Sequence, residues 1–404
     1  MKSRILFIGT TDFAVKSLLE LIYNKYKVVA VITSPDKKSG RGLKMSPSPV
    51  KLCAQKNKIK IFQPDDLINT DFLNTIKGLK PEIGVVVAFR FLPKALWSIP
   101  KLGTFNLHGS LLPNLRGAAP INWAIILNEK VTGVTTFLID EKIDTGKILL
   151  QESLPLSKFE TAKSLHDKLA ILGKNIVIQT IKSLLSGIVP KIQILTGKEK
   201  TAPKLNKNNT KINWSSNLFE IESFIRGMSP LPGAWSYLKD GKETIVIKLF
   251  KVKIFNENEN KHNLVVTSDK KNLLIHHHQG LLKVEILQFP NKKRMDSKSF
   301  LNGFKLKTDT KGRKNKQLKV ERNYFITHKS RLIYKLCKDN GLPQGSGAVE
   351  SSIRRVVNLR MKGNSIFWKE DSANDMLFLR SYYKAGRWLE LENMANQGRL
   401  AIAA

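Results

Sequence analysis

The sequence predicts an α/β protein: an open, mostly parallel sheet over residues 1–205, a small β-barrel over 206–310, a basic junction at 311–320 and an extra, mainly helical piece over 321–404. Three observations carry that reading. Apolar runs alternate with amphipathic segments from Ile5 to Glu152, short alternating runs follow from Trp235 to Leu287, and arginine replaces lysine as the preferred base near residue 320.

In the first region, Ile5 to Ile8, Val28 to Ile32, Ile83 to Ala88, Thr104 to Leu107 and Val134 to Ile139 are apolar runs of strand length, separated by segments such as Phe13 to Tyr23 and Ile121 to Leu127 with helical spacing. Strands alternating with helices imply a sheet covered on its faces, and such strands are apolar almost throughout. Ligands in these sheets bind at the carboxyl ends of the strands. The Gly9-Thr10-Thr11-Asp12 turn lacks the later glycines of a dinucleotide fingerprint, so no nicotinamide cofactor is expected. Residues 34–49 place Lys37, Lys38, Arg41 and Lys44 among Gly, Ser and Pro, which reads as a solvated loop near the ligand-binding edge. Residues 196–213, rich in Lys, Asn and Thr, read as a linker, and a helix is expected near Leu218 to Ile225. Thr244 to Leu249, Leu264 to Thr267, Leu273 to His277 and Leu282 to Ile286 then supply the barrel strands. His276-His277-His278 is not a metal set, because neighbours on a strand point to opposite sides and no carboxylate or Cys spacing completes a ligand shell.

A length of 404 residues allows two or three domains. No stretch reaches the roughly 18 consecutive apolar residues of a membrane span, and Met1 to Thr10 reads as a first buried strand rather than a signal peptide. Cys53 and Cys337 are the only cysteines and have no CxxC spacing, which fits a reducing cytoplasm and argues against a zinc or disulfide framework. The formal charge of +35 favours polyanionic partners over small acidic substrates alone. Part of it is a lysine preference of the kind genome composition produces: residues 1–320 hold 47 Lys and 7 Arg. Even so, 54 basic against 25 acidic residues leave +29 on that region.

The chemistry concentrates in Asn106-Leu107-His108-Gly109-Ser110-Leu111-Leu112-Pro113, followed by Arg116-Gly117-Ala118-Ala119-Pro120 and by Asp144 in Ile143-Asp144-Thr145-Gly146. Alternate residues of a strand share a face, so Asn106 and His108 project together. Acyl transfer between nitrogens needs a donor for the developing oxyanion and a group that handles the amine proton. Asn106 suits the first task and His108 the second. The turn after Val134 to Asp140 delivers Asp144, a carboxylate able to orient the His108 ring and pair with it when charged. Singly, each of these is more often a structural residue; together they point to a site.

These residues resemble the folate-dependent formyltransferases, whose active site is marked by Asn-x-His, Ser-Leu-Leu-Pro and a distant Asp-x-Gly. Within that family the match is best to the methionyl-tRNA formyltransferases. It includes Ile5 to Thr10, Pro35 to Gly42, Ser46 to Lys51, Ile212-Asn213-Trp214, Ile225-Arg226, Pro230 to Ala234, Lys292 to Met295 and Phe300 to Gly303, and so covers residues 1 to about 305 in order. The resemblance implies a Rossmann-like catalytic domain and an OB-like, tRNA-binding barrel. It implies transfer of formyl from 10-formyltetrahydrofolate, a co-substrate, to the α-amino group of methionyl initiator tRNA for translation initiation, without a metal and in the cytoplasm. By it Asn106, His108 and Asp144 are catalytic, Ser110, Leu111, Leu112, Pro113 and Phe89 face the folate, and Arg41 with Lys37, Lys38, Lys44, Lys292, Lys293 and Arg294 contacts tRNA. A monomer is expected, with no membrane partner. Two departures stand out. Asn291 replaces a usual Gly, and Phe89-Arg90-Phe91 replaces a usual Tyr-Gly pair at the pocket.

After Lys311 to Lys316 the composition changes: residues 321–404 hold 8 Arg and 6 Lys. Glu321 to Phe325, Leu342 to Ser351 and Arg354 to Asn358 resemble the end of an insertion-sequence transposase, in which Glu350 would be the last acidic residue of a metal triad. Two-metal chemistry needs several converging carboxylates, and this piece supplies one. The implied history is an element inserted near the end of a formyltransferase gene. Competing functions are formyl transfer to a small amine, and a DNA-binding, transposase-derived chimera without enzymatic activity.

Overall fold

A computed structural model describes residues 3–39, 44–240, 243–256, 265–268 and 272–304. Arg41, the basic junction and the transposase-like piece lie outside the described residues. Seven strands form the first sheet, in the order Ile148–Pro155, Val131–Leu138, Thr104–His108, Ile83–Val87, Arg4–Gly9, Lys27–Ile32 and Ile61–Phe62. The last five are mutually parallel, whereas Val131–Leu138 pairs antiparallel with both of its neighbours. The mostly parallel sheet is thus present, with an antiparallel edge added beside the strand that carries Asn106 and His108.

Period-two geometry explains why these strands are apolar throughout. Ile5 and Phe7 pack with Leu18, Leu21, Leu165 and Leu169 on one face, while Leu6 and Ile8 pack with Leu73, Ile76 and Leu96 on the other. The long helix Ala162–Leu185 covers the first face; its start is fixed by a reciprocal capping box between Thr161 and Ser164. The expected loop near residues 34–49 contains two short strands. Lys37–Ser39 and Lys44–Ser46 pair antiparallel as a hairpin.

The second domain is an antiparallel half-barrel. Ala234–Asp240, Glu243–Asn256, Gly280–Gln288, Leu273–His277 and Val265–Ser268 follow one another across the sheet, and Arg294–Asp296 pairs with Gly280–Gln288. Helix Leu218–Gly227, capped by Asn217 and Glu220, closes its core through Ile221 and Ile225 against Leu249 and Val284. The same helix ties the domains together: Asn122 donates to the Gly227 carbonyl at 2.8 Å, and Arg226 donates to the Glu160 carbonyl at 2.7 Å. The supposed linker at 196–213 is partly a strand, since Thr201–Ala202 pairs parallel with Arg116–Gly117.

Candidate active site

Thr104–His108 ends at the floor of a cavity of about 880 Å³, whose wall includes Asn106, His108 and Asp144. The three residues expected to act together therefore open into one space. His108 is almost fully buried, with only 5% of its surface exposed, so its few polar contacts define its state. Nε2 lies 2.9 Å from the Leu115 carbonyl oxygen. A carbonyl can only accept, so Nε2–H donates in this contact and Nδ1 is the nitrogen turned toward Asp144. Nδ1 stands 3.8 Å from Oδ2 of Asp144, too far for a hydrogen bond but close enough for charge pairing. The ring is oriented by Leu115, and Asp144 supplies its field.

Asp144 sits in a left-handed backbone conformation, φ +56°, in the turn after Val131–Leu138. Its Oδ2 accepts the Gly117 N–H at 2.9 Å. Gly117 has φ +127°, and a Cβ there would come within 2.4 Å of the Ala202 carbonyl oxygen, so only glycine brings that N–H to the carboxylate. Behind the turn, the Gln193 side-chain amide donates to the carbonyls of Asp144 at 3.0 Å and Gly146 at 2.8 Å. Its oxygen accepts from Arg116 at 2.6 and 3.2 Å. The turn itself is braced by Asp140, which accepts from Lys142 N and Thr145 Oγ1.

Phe89 lines the cavity, joined by Val86, Arg90, Phe91, Leu92, Phe137, Ile139, Asp140 and Ile143. Ala88 just before it adopts φ +51°, which turns the chain into the cavity at the end of Ile83–Val87. Ser110, Leu111, Leu112 and Pro113 do not line this cavity. The chain doubles back after Gly109 to satisfy its backbone: Ser110 O accepts from Thr135 Oγ1 at 2.7 Å, Leu112 N donates to the same oxygen at 3.0 Å, and Leu112 O accepts from Gln151 at 2.8 Å. The segment instead sets the place of Leu115. The opposite wall holds residues the sequence did not single out. Asp12 Oδ1 lies 3.4 Å from His166 Nε2, whose ring meets Phe13 edge-on at 5.3 Å.

Of the basic residues, Lys37 is exposed on the hairpin that also carries Lys38 and Lys44. The hairpin base is anchored by Asp36, which accepts from Lys51 at 2.6 Å and from Gln63 at 2.8 Å; these two bonds hold its carboxyl below the ordinary aspartate range. Lys292 and Lys293 are exposed, and Asn291 before them adopts the left-handed conformation, φ +60°. Arg294 is already engaged within the domain, bonded to the Pro230 carbonyl and stacked 4.0 Å from the Phe250 ring centre. None of these three lines the cavity.

His277 Nε2 donates to the Trp214 carbonyl at 2.8 Å, and His276 Nε2 meets Thr267 Oγ1 at 2.8 Å, so both have structural partners. Among the described residues no group of three or more His, Cys, Asp or Glu can hold a metal ion, and no helix is long and apolar enough to cross a membrane.

Residues 1–181 match the formyl transferase family model, and residues 204–305 match the model of the formyl transferase C-terminal domain. The chain is 46% identical over 311 residues to the methionyl-tRNA formyltransferase of Flavobacterium johnsoniae, covering 77% of this chain and 99% of that one. It is 42% identical to the same enzyme of Bacteroides thetaiotaomicron, covering 75% and 96%. Among solved structures, an N-formyltransferase from Helicobacter canadensis in complex with folinic acid and dTDP-3-aminofucose shares the fold at TM-score 0.53 and 24% identity, covering 70% of this chain and 98% of that one. HypX from Aquifex aeolicus, in complex with tetrahydrofolic acid, shares it at TM-score 0.52 and 17% identity, covering 74% and 47%. With both domains matched in order and relatives aligned over almost their whole length, the chain belongs to the methionyl-tRNA formyltransferase family.

Proposed function

We propose that this cavity moves a formyl group from N10 of 10-formyltetrahydrofolate to the α-amino group of methionyl initiator tRNA. The observation that supports it best is the convergence of Asn106, His108 and Asp144 on one cavity in a chain with these relatives. The residues present suit a folate. Phe89, Phe91, Leu92, Phe137 and Ile139 offer an apolar slot for a flat ring, with Asp140 as an acceptor at its side.

When bound, the folate supplies an activated formyl carbon. Asn106 donates from its amide to the formyl oxygen as negative charge develops on it, which lowers the barrier where the charge appears. His108 takes at Nδ1 the proton the attacking amine must lose and returns it to the departing nitrogen, so that one N–C bond forms and one breaks with no net proton change. Asp144 stabilises the imidazolium in between. The paired strands bearing Lys37, Lys38 and Lys44 grip the acceptor end of the tRNA together with Arg41, and Lys292 and Lys293 extend the basic face. A small amine acceptor would need neither. The protein acts as a cytoplasmic monomer.

The deciding experiment incubates the full chain with 10-formyltetrahydrofolate labelled in the formyl group, together with methionyl initiator tRNA, free methionine and an amino-sugar nucleotide. Label on the tRNA-bound methionine alone is expected. Label on a small amine, with none on the tRNA, overturns the reading.

A further inference from the structure

We propose that Gln193 is a positioning residue for Asp144, holding the carboxylate at its place beside His108 without touching substrate. The inference rests on the reading that Asp144 serves the His108 imidazole.

Gln193 lies in the irregular chain after helix Ala162–Leu185, 49 residues from Asp144, and is more than nine-tenths buried. It is absent from the cavity wall. Its carboxamide orientation is dictated from both ends. The nitrogen faces two carbonyls, of Asp144 and Gly146, which only accept; the oxygen faces the Arg116 guanidinium, which only donates. Both amide protons are therefore used on the two sides of one turn. Arg116 in turn precedes Gly117, whose N–H holds Asp144 Oδ2. The contacts close a ring, running from Arg116 through Gln193 to the Asp144 backbone and back from its carboxylate to Gly117.

That ring addresses a specific problem. Asp144 must keep φ +56°, a conformation unfavourable for a residue with a side chain, and must aim a carboxylate at Nδ1 across 3.8 Å without a hydrogen bond to fix the distance. The strength of charge pairing depends on that separation, so the turn has to be held from behind. Gln193 is the side chain placed there, and two buried carbonyls would otherwise lose their donor.

The test compares steady-state formylation by the full chain and its Gln193→Ala, Gln193→Glu, Asp144→Asn and Asp144→Asn/Gln193→Ala variants, with thermal melts as a folding control. Gln193→Glu keeps size and the Arg116 contact but loses both donors, which covers the case in which Gln193→Ala does not fold. We expect each Gln193 variant to lower kcat roughly 10- to 100-fold, as misplacement of a reacting group does, with KM for both substrates within about twofold. In the Asp144→Asn background the Gln193→Ala change should cost less than about twofold more, because residues acting as a unit are not additive. An equal loss in both backgrounds, an effect on KM alone, or an unchanged kcat in the Gln193→Glu variant overturns the proposal. Full activity in Asp144→Asn alone instead overturns the underlying role of Asp144.

Discussion

Leu115 presents its carbonyl oxygen 2.9 Å from Nε2 of His108, and this contact turns Nδ1 toward Asp144, 3.8 Å away. Leu115 has φ +60° and is itself held by its N–H, which donates to Lys200 O at 2.8 Å. Leu115 lies two residues beyond Pro113, so a residue the sequence did not single out meets the imidazole through its backbone.

If His108 carries the amine proton and Asn106 stabilises the oxyanion, their losses should appear in kcat. His108→Ala is expected to lower it by roughly 10²- to 10⁴-fold and Asn106→Ala by roughly 10²- to 10³-fold, with tRNA binding nearly intact. Single-turnover formylation and a filter-binding assay separate the two quantities. Normal formylation by His108→Ala would remove it from the mechanism.

Arg41→Ala should chiefly raise KM for the tRNA. Loss of one phosphate contact is expected to flatten the salt dependence, reducing the slope of log K against log salt by about 1. An unchanged slope with a reduced kcat would move Arg41 from the tRNA to the chemistry.

Gly146 ends the turn that carries Asp144, and a Cβ there would lie 1.6 Å from the Leu138 carbonyl oxygen. Backbone cannot yield as a side-chain tip can, so Gly146→Ala should destabilise by roughly 3 kcal/mol, read from the denaturation midpoint. A wild-type midpoint would mean that the turn has freedom the packing denies.

Glu160 is a buried acid at the junction of the domains, bonded through its carboxylate to Lys168 and Ser164 and through its carbonyl to Arg226. Burial pushes its pKa up, but Lys168, Ser164 and Arg226 outweigh it and hold the carboxyl below the ordinary glutamate value. A depressed folded-state value stabilises the fold above the unfolded value of about 4.3, and that contribution disappears as pH falls through the lower folded value. Glu160→Gln should therefore weaken the protein at pH 7 and make its stability less sensitive to pH below about 5. Urea melts across that range measure both effects; parallel curves for the two proteins would contradict the assignment.

Truncation after residue 320 should leave formylation intact, since the family match ends at residue 305. Activity of the truncated and full chains on the same tRNA checks this. A dead truncation beside an active full chain would assign the added piece a role.

How much was legible varied with the range of the interaction. Alternation in Ile5 to Ile8 gave a two-faced strand because burial on both sides is a local property of the residues themselves. The Asn106–His108 spacing gave their common face, since a strand repeats every two residues. Gln193 carries no such signal: its partners are 49 and 47 residues away, and nothing in Lys191-Ile192-Gln193 distinguishes it from an exposed polar linker. The motif at Ser110 to Pro113 likewise names residues near a site without saying which way they point, and the fold leaves them off the cavity wall.

What the sequence determined by itself was therefore the α/β sheet, the half-barrel that follows, and the amide, imidazole and carboxylate placed at strand ends, all of them encoded in short-range periodicity and motif. Tertiary structure alone decided that the Leu115 carbonyl meets Nε2 of His108, that Gln193 and Gly117 hold Asp144, and that Phe89 to Leu92 form part of the cavity wall. These depend on which buried donors and acceptors meet once distant segments have packed, a matter that no stretch of chain settles before folding.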